Sequence, residues 1–256
     1  MRLKDLMRSK ELKLGNFVVE FATPGIGHIL KAAGLDFVFF DMEHSGFSFE
    51  TMKSAIRYFE AADVAVIVRV PALENDMLAR ASDMGAEGLI APMISTAAQA
   101  QAMVDSVKYH PLGKRGVGLQ MAHDNYRIQP VAEALAAANA RTAVICLIET
   151  AEGAENVDAI AAVKGVDGLW VGHFDLSVSL GIPGEFTHPK FTAAMERIIA
   201  AAKKHGRSLG RLVPNVEQGI AFHRQGFDFI CYSGDIWVLR DGLAAASKAI
   251  REGVKA

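Results

Sequence analysis

The chain has 256 residues, 51% of them hydrophobic, and 27 basic against 29 acidic side chains give a net charge of -2. That is enough to bury a full core in one large α/β domain or two small ones. Without a basic excess there is no electrostatic footprint for nucleic acid, and no Lys/Arg-rich amphipathic helix proposes a membrane surface.

From Met1 to Lys13 charged and apolar residues are mixed, without the apolar core of a signal peptide, and no later run approaches a membrane span. Short apolar, β-rich runs then alternate with longer helical patterns to the end of the chain, as in repeated βα units. After a short amphipathic N-terminal helix, the strands read Asn16 to Glu20, Phe37 to Asp41, Ala65 to Arg69 and Gly88 to Pro92. They continue as Thr142 to Glu149, Gly168 to Gly172, Ser208 to Leu212 and Phe229 to Ser233. Helices fill the gaps at Gly25 to Ala33, Phe49 to Ala61, Asn75 to Met84 and Ala97 to Lys108. The second half adds Asn156 to Ala162, Pro189 to His205, Val216 to Gln225 and Ile236 to Glu252. An extra alanine-rich helix, Val131 to Asn139, follows the longest irregular section, His110 to Gln129. Eight βα units in a chain near the typical ~250 residues point to a closed (β/α)8 TIM barrel, one domain over residues 1–256. Cys146 and Cys231 fall inside apolar strands, so two buried thiols and a reducing cytoplasm are expected.

Strand side chains alternate between the barrel interior and the helix layer, and barrel sites form where strands end at the C-terminal face. Phe37, Phe39 and Asp41 share one face; so do Ala65, Ile67 and Arg69, and Ile145, Leu147 and Glu149. Each set ends in a charged residue at the same rim, to which Glu43 and His44 are added after the second strand and Asp175 after the sixth. Buried charge is costly unless it is paired or metal-bound, so such clustering suggests a site. A surface turn with solvated charges is the plainer alternative.

Glu149 and Asp175 are oxygen ligands suited to a hard divalent ion such as Mg²⁺ or Mn²⁺, with Asp41 and Glu43 as acceptors for waters around it. Equally, the two carboxylates could simply pair with Arg69. An imidazole, ordinarily titrating near ~6.5, suits a general base, and His44 supplies one; Arg69 suits a fixed cation facing a carboxylate or a developing enolate. Together they describe proton abstraction beside a carbonyl, or its retro-aldol counterpart. None of the eight strands contains the interior lysine that a Schiff-base aldolase needs. Gly25-Ile26-Gly27 starts like a dinucleotide loop, but Leu30 stands at the third glycine position, which argues against a nucleotide cofactor. The basic segment His110 to Gly116 could meet an acidic substrate or simply be solvated.

Asp41-Met42-Glu43-His44, Arg69-Val70-Pro71, Arg115-Gly116-Val117-Gly118, Ile148-Glu149-Thr150 and Gly168 to Ser177 resemble, in order and spacing, the HpcH/HpaI aldolase family over nearly the whole chain. The resemblance implies a metal-dependent (class II) aldolase that cleaves or forms 4-hydroxy-2-oxo acids from a pyruvate-type 2-oxo acid and an aldehyde. By position it implies Glu149 and Asp175 as ligands of a divalent cation, Mg²⁺ or Mn²⁺ foremost and Co²⁺ as another candidate. His44 would be the base, Arg69 would stabilise the enolate, and Asp83 would raise the basicity of His44. Gly172 and the backbone at Phe174 and Asp175 would hold the substrate carboxylate, with Leu147 beside it. It also implies a homo-oligomer, a hexamer or trimer, with the helix Ile236 to Glu252 a candidate for exchange between subunits. Three departures stand out: Leu147 where glutamine is usual, His173 where proline is frequent, and His123-Asp124 where arginine is often found. Asp83 falls at the end of a helix, toward the opposite rim. Two other readings are an acyl-CoA ester lyase on a related barrel and a barrel that binds a 2-oxo acid without turnover.

Overall fold

The computed structural model describes residues 3–255. A single helical turn, α1 (Leu3–Leu6), precedes β1 (Lys13–Val18), α2 (Ile26–Ala32), β2 (Phe37–Asp41), α3 (Phe49–Ala61), β3 (Ala65–Arg69), α4 (Asn75–Asp83), β4 (Gly88–Ala91) and α5 (Ala97–Val107). After a 3-10 turn at Ala122–Asp124 come α6 (Val131–Arg141), β5 (Ala143–Ile148), α7 (Ala151–Glu155), α8 (Val157–Ala162), β6 (Gly168–Val171) and α9 (His173–Ser179). The chain then runs through α10 (Pro189–Lys204), β7 (Ser208–Val213), α11 (Val216–Arg224), β8 (Phe229–Gly234) and α12 (Asp235–Gly253).

All eight strands are parallel in sequence order, and pairing of β1 with β8 closes the barrel. Alternation along each strand sorts the side chains. Phe37 and Phe39, Ile67, Ile145, Leu147, Trp170 and Cys231 fill the interior, whereas Val38, Phe40, Val66 and Val68 face the helices. Both faces of β2 and β3 are buried, which is why their sequences read as continuous apolar runs. Trp170 fits the interior because its partner across the ladder is Gly210, where any Cβ would collide with the indole. Leu3 and Leu6 of α1 join the interior cluster, and the Leu3 N–H donates to Glu87 Oε2 at 2.7 Å. That turn therefore closes the N-terminal mouth of the barrel.

Three elements differ from expectation. β1 begins at Lys13, whose N–H donates to the Asp228 carbonyl at 2.8 Å, and ends at Val18. Beyond it, the N–H groups of Val19, Glu20 and Phe21 turn to the Asp235 carboxylate instead of a strand. The short helices α7 and α9 are additional, the first started by Thr150, whose side chain accepts from the Gly153 N–H at 2.8 Å.

α12 departs from the usual eighth helix of a barrel. Asp235 is its one buried residue among those described, and Val238, Leu239, Leu243 and Ile250 are all exposed. Beside it, the outer surface of β8 and β1 is left uncovered next to α11. The result is an apolar groove of about 370 Å³ lined by Leu14, Leu35, Ile220, Ile230 and Tyr232.

Candidate active site at the C-terminal rim

Asp41 and Arg69 are the last residues of β2 and β3 and are paired across that ladder. Arg69 Nε donates to Asp41 Oδ1 at 2.6 Å, and Arg69 Nη1 lies 2.9 Å from Glu43 Oε2. Asp41 is wholly buried, so its charge is sustained by that guanidinium and by the N–H groups of Glu43 and His44, at 3.1 and 3.0 Å. The same two bonds shape the turn that presents His44, whose side chain is 64% exposed. Both Asp41 oxygens are thereby engaged, whereas Arg69 takes one oxygen of Glu43. Burial pushes the Glu43 carboxyl above its ordinary value, with Arg69 opposing the shift.

Glu149 follows β5 directly and is 3% exposed. Its Oε1 accepts the Met93 N–H at 2.7 Å, from a backbone held at φ 59° just after β4. The other oxygen packs against Gly172, where a Cβ would collide with it. Among the described residues no cationic side chain lies within ion-pair distance of Glu149 or Asp175, so Arg69 makes no direct ion pair with either and acts on Glu149 at longer range. Burial pushes the Glu149 carboxyl up to about 7; the Met93 N–H and, less strongly, Arg69 oppose that shift, and the neighbouring Asp175 and Glu43 carboxylates add to it.

These groups face one cavity of about 410 Å³, floored by Phe39, Leu147 and Trp170. His44, Arg69, Glu149, Gly172, Phe174 and Asp175 stand around its walls, so of the eight expected site residues seven are brought together. Asp83 is not. α4 carries it from the C-terminal rim to the opposite end of the barrel, where it pairs with Arg115 Nη2 and lines a separate depression with Lys53 and Arg80. The expected contact with His44 is not made within the chain. In the basic loop Arg115 is buried against Asp83 and Tyr109, whereas Lys114, paired with Asp105 at 2.5 Å, stays exposed to solvent.

Residues not singled out from sequence complete the walls: Phe17, Val19, Ile236 and Trp237. Trp237 stacks on Phe17 at 5.9 Å between centroids, a contact between the two ends of the chain that no local pattern announces. Trp170 was within reach of the period-two rule, being two residues before Gly172 on the inward face. His173 is buried against Phe174 and Phe186; burial, then Arg211, lowers its pKa to about 4, so its imidazole is neutral at pH 7.

Among the described residues no cluster of three or more His, Cys, Asp or Glu side chains is arranged as a metal site. The donor chemistry nevertheless fits a hard cation. Two carboxylates face the cavity, one of them deeply buried with no ion-pair partner among the described residues, and a hard divalent ion that keeps several water or substrate ligands needs few protein ligands.

A parallel barrel with carboxylates, a fixed arginine and an imidazole on its C-terminal rim defines an enzyme for chemistry beside a carbonyl. Residues 16–241 match the HpcH/HpaI aldolase/citrate lyase family, and the chain belongs to that family. It is 31% identical over 251 residues to the 5-keto-4-deoxy-D-glucarate aldolase of Klebsiella pneumoniae, covering 98% of this chain and 97% of the relative. The HpcH/HpaI aldolase from Desulfitobacterium hafniense superposes with a TM-score of 0.92 at 31% identity, over 98% of this chain and 97% of that one. An HpcH/HpaI aldolase/citrate lyase family protein from Burkholderia cenocepacia gives 0.88 at 33% identity, over 99% of each chain. The protein is an enzyme, a carbon–carbon lyase of the aldolase type.

Proposed function

We propose that the rim cavity binds a pyruvate-type 2-oxo acid together with a divalent cation held by Glu149 and Asp175, and that 4-hydroxy-2-oxo acids are cleaved or formed there. The observation that carries this reading is Glu149: a buried carboxylate with no ion-pair partner among the described residues, sharing its cavity with Asp175 and a fixed guanidinium. When bound, the cation, Mg²⁺ or Mn²⁺ in first place, would supply Lewis-acid polarisation of the 2-oxo carbonyl.

The remaining work falls to the chain. The first-turn N–H groups of α9, at Phe174 and Asp175, have no partners within the helix and suit the substrate carboxylate. In the cleavage direction His44 takes the proton of the 4-hydroxyl, the C3–C4 bond breaks, and an aldehyde leaves. The electron pair remains on the three-carbon fragment as an enolate, and Arg69, locked by Asp41 and Glu43, offers it a positive charge that needs no reorganisation. Leu147 places an apolar wall where an amide would offer hydrogen bonds. The curated relatives named for 5-keto-4-deoxy-D-glucarate make that dicarboxylic oxo acid the first substrate to test. For a thioester lyase, Arg115 is no anchor for a nucleotide-bearing carrier, being buried against Asp83, which leaves the exposed Lys114 of the two.

The working form we infer is a homo-oligomer in which α12 of one copy covers the groove beside α11 of another. An exposed apolar helix and an uncovered apolar groove of the same chain are complementary, and neither is satisfied in the single copy. Asp83 and its depression lie on the outer surface of the barrel, so oligomerisation is also the route by which Asp83 could meet a His44 of another copy. Two buried free cysteines agree with a reducing cytoplasm.

The experiment is pyruvate deuterium exchange in D₂O with metal-stripped protein, with and without Mg²⁺ or Mn²⁺, for wild type and His44→Ala. The expected result is cation-dependent exchange in wild type and turnover lost in His44→Ala with cation binding retained. Absence of exchange in wild type both with and without added cation would remove the pyruvate-type reading.

A further inference from the structure

Past His173 the catalytic cavity adjoins a second chamber of about 590 Å³, and the two share His173, Phe174, Leu212 and Trp237. The wall of this chamber carries Arg211. On β7, Gly210 and Leu212 face the barrel interior, so Arg211 points outward, into the layer between the sheet and α11.

There it is 3% exposed, and its guanidinium lies 3.6 Å from the centroid of the Phe222 ring. Nε donates to the Leu212 carbonyl at 3.3 Å, and Nη1 has no hydrogen-bond partner. Among the described residues no carboxylate is paired with it; Asp241, also in the chamber wall, is engaged by Arg240 at 2.6 Å. Burial alone lowers the Arg211 pKa, to about 10, so the group is still a cation at neutral pH. A buried guanidinium without a counter-charge among the described residues weakens the fold, and the chamber it lines adjoins the catalytic cavity through four shared wall residues.

We propose that this chamber is an anion subsite and that Arg211 is a specificity-determining residue, receiving the carboxylate or phosphate at the far end of the aldehyde half of the substrate. This assignment rests on the aldolase reading of the neighbouring cavity. The planar fork of an arginine matches either oxyanion in a bidentate way. Phe174, Phe186, Phe222 and Trp237 give the chamber aromatic walls, which suit a ring or several carbons between aldehyde and anion. The substrate class that follows is an extended aldehyde with an anionic tail, rather than a short neutral one.

The test compares acceptors of matched shape with pyruvate as donor: 4-carboxybenzaldehyde and 4-formylphenyl phosphate against 4-methylbenzaldehyde. Wild type is expected to favour an anionic acceptor in kcat/KM by about tenfold or more. The larger of the two preferences tells carboxylate from phosphate. Arg211→Met should lose the preference while its turnover of the neutral aldehyde and its pyruvate deuterium exchange stay at wild-type rates. Its thermal midpoint should hold or rise, because an unpaired buried charge has been removed; Arg211→Gln is the second variant if Met does not fold. No preference in wild type, or a preference that both variants keep, overturns the assignment. If wild type fails to exchange pyruvate deuterium, the aldolase reading has failed on its own, and titration with 4-methylbenzoate followed by NMR then tests the chamber. Binding lost in Arg211→Met upholds an anion site, and equal binding in both, or none in wild type, overturns it.

Discussion

Asp41 and Arg69 end adjacent strands as one rung of the barrel, Oδ1 and Nε 2.6 Å apart, and the same carboxylate gathers the N–H groups of Glu43 and His44. One wholly buried side chain thus fixes both the cation and the turn of the proposed base, without itself lining the cavity. Asp41→Ala should remove about 3 kcal/mol or more of stability, since it leaves a buried guanidinium with Glu43 as its remaining partner. Urea unfolding measures this, and exchange activity should fall with it. Arg69→Lys, which retains charge but not the fork, should fold and turn over well below wild type; wild-type rates would make Arg69 purely structural.

Glu149 predicts a dependence on pH that changes sign with cation. Its carboxyl titrates near 7 in the fold against the ordinary 4.5, so the unfolded chain loses the proton first. In metal-free protein the contribution of this group is fully present below about 4.5 and is lost as pH rises through 7. Glu149→Gln should remove that decline. Cation affinity should run the other way, weakening by up to about tenfold per pH unit below 7 as protons compete for the ligand. Thermal midpoints of wild type and Glu149→Gln against pH, with and without Mn²⁺, read both effects.

Gly172 leaves no room for a side chain beside Glu149 Oε2. Gly172→Ala should therefore displace that carboxylate and weaken Mn²⁺ binding by an order of magnitude or more, with the barrel intact by circular dichroism. Unchanged affinity in a folded variant would remove Glu149 from the proposed ligand set.

The exposed stripe of α12 gives a prediction about assembly. Leu243→Glu combined with Ile250→Glu should leave a folded barrel but dissociate the oligomer in analytical ultracentrifugation, because charge cannot enter the apolar groove of another copy. An oligomer of unchanged size would place the interface elsewhere.

The sequence by itself determined the barrel and much of its rim. Phe37 to Asp41 and Ala65 to Arg69 are strands over those same residues, because a strand buried on both faces leaves an unbroken apolar run that ends in its first charge. Period two then sends Arg69, Leu147 and Trp170 inward to one cavity. Only the tertiary structure decided how the charges divide. Asp41, Glu43, Glu149 and Asp175 are all carboxylates in sequence, but the register of β2 against β3 gives Arg69 to the first two and leaves the others without an ion-pair partner among the described residues. Contacts between distant segments were equally out of reach: Phe17 on Trp237, Asp235 capturing the end of β1, and Asp83 carried by α4 away from His44 to Arg115. Arg211 reads in sequence as one more strand residue. That it is buried beside Phe222 with no counter-charge among the described residues depends on the packing of β7 against α11, which no local pattern encodes.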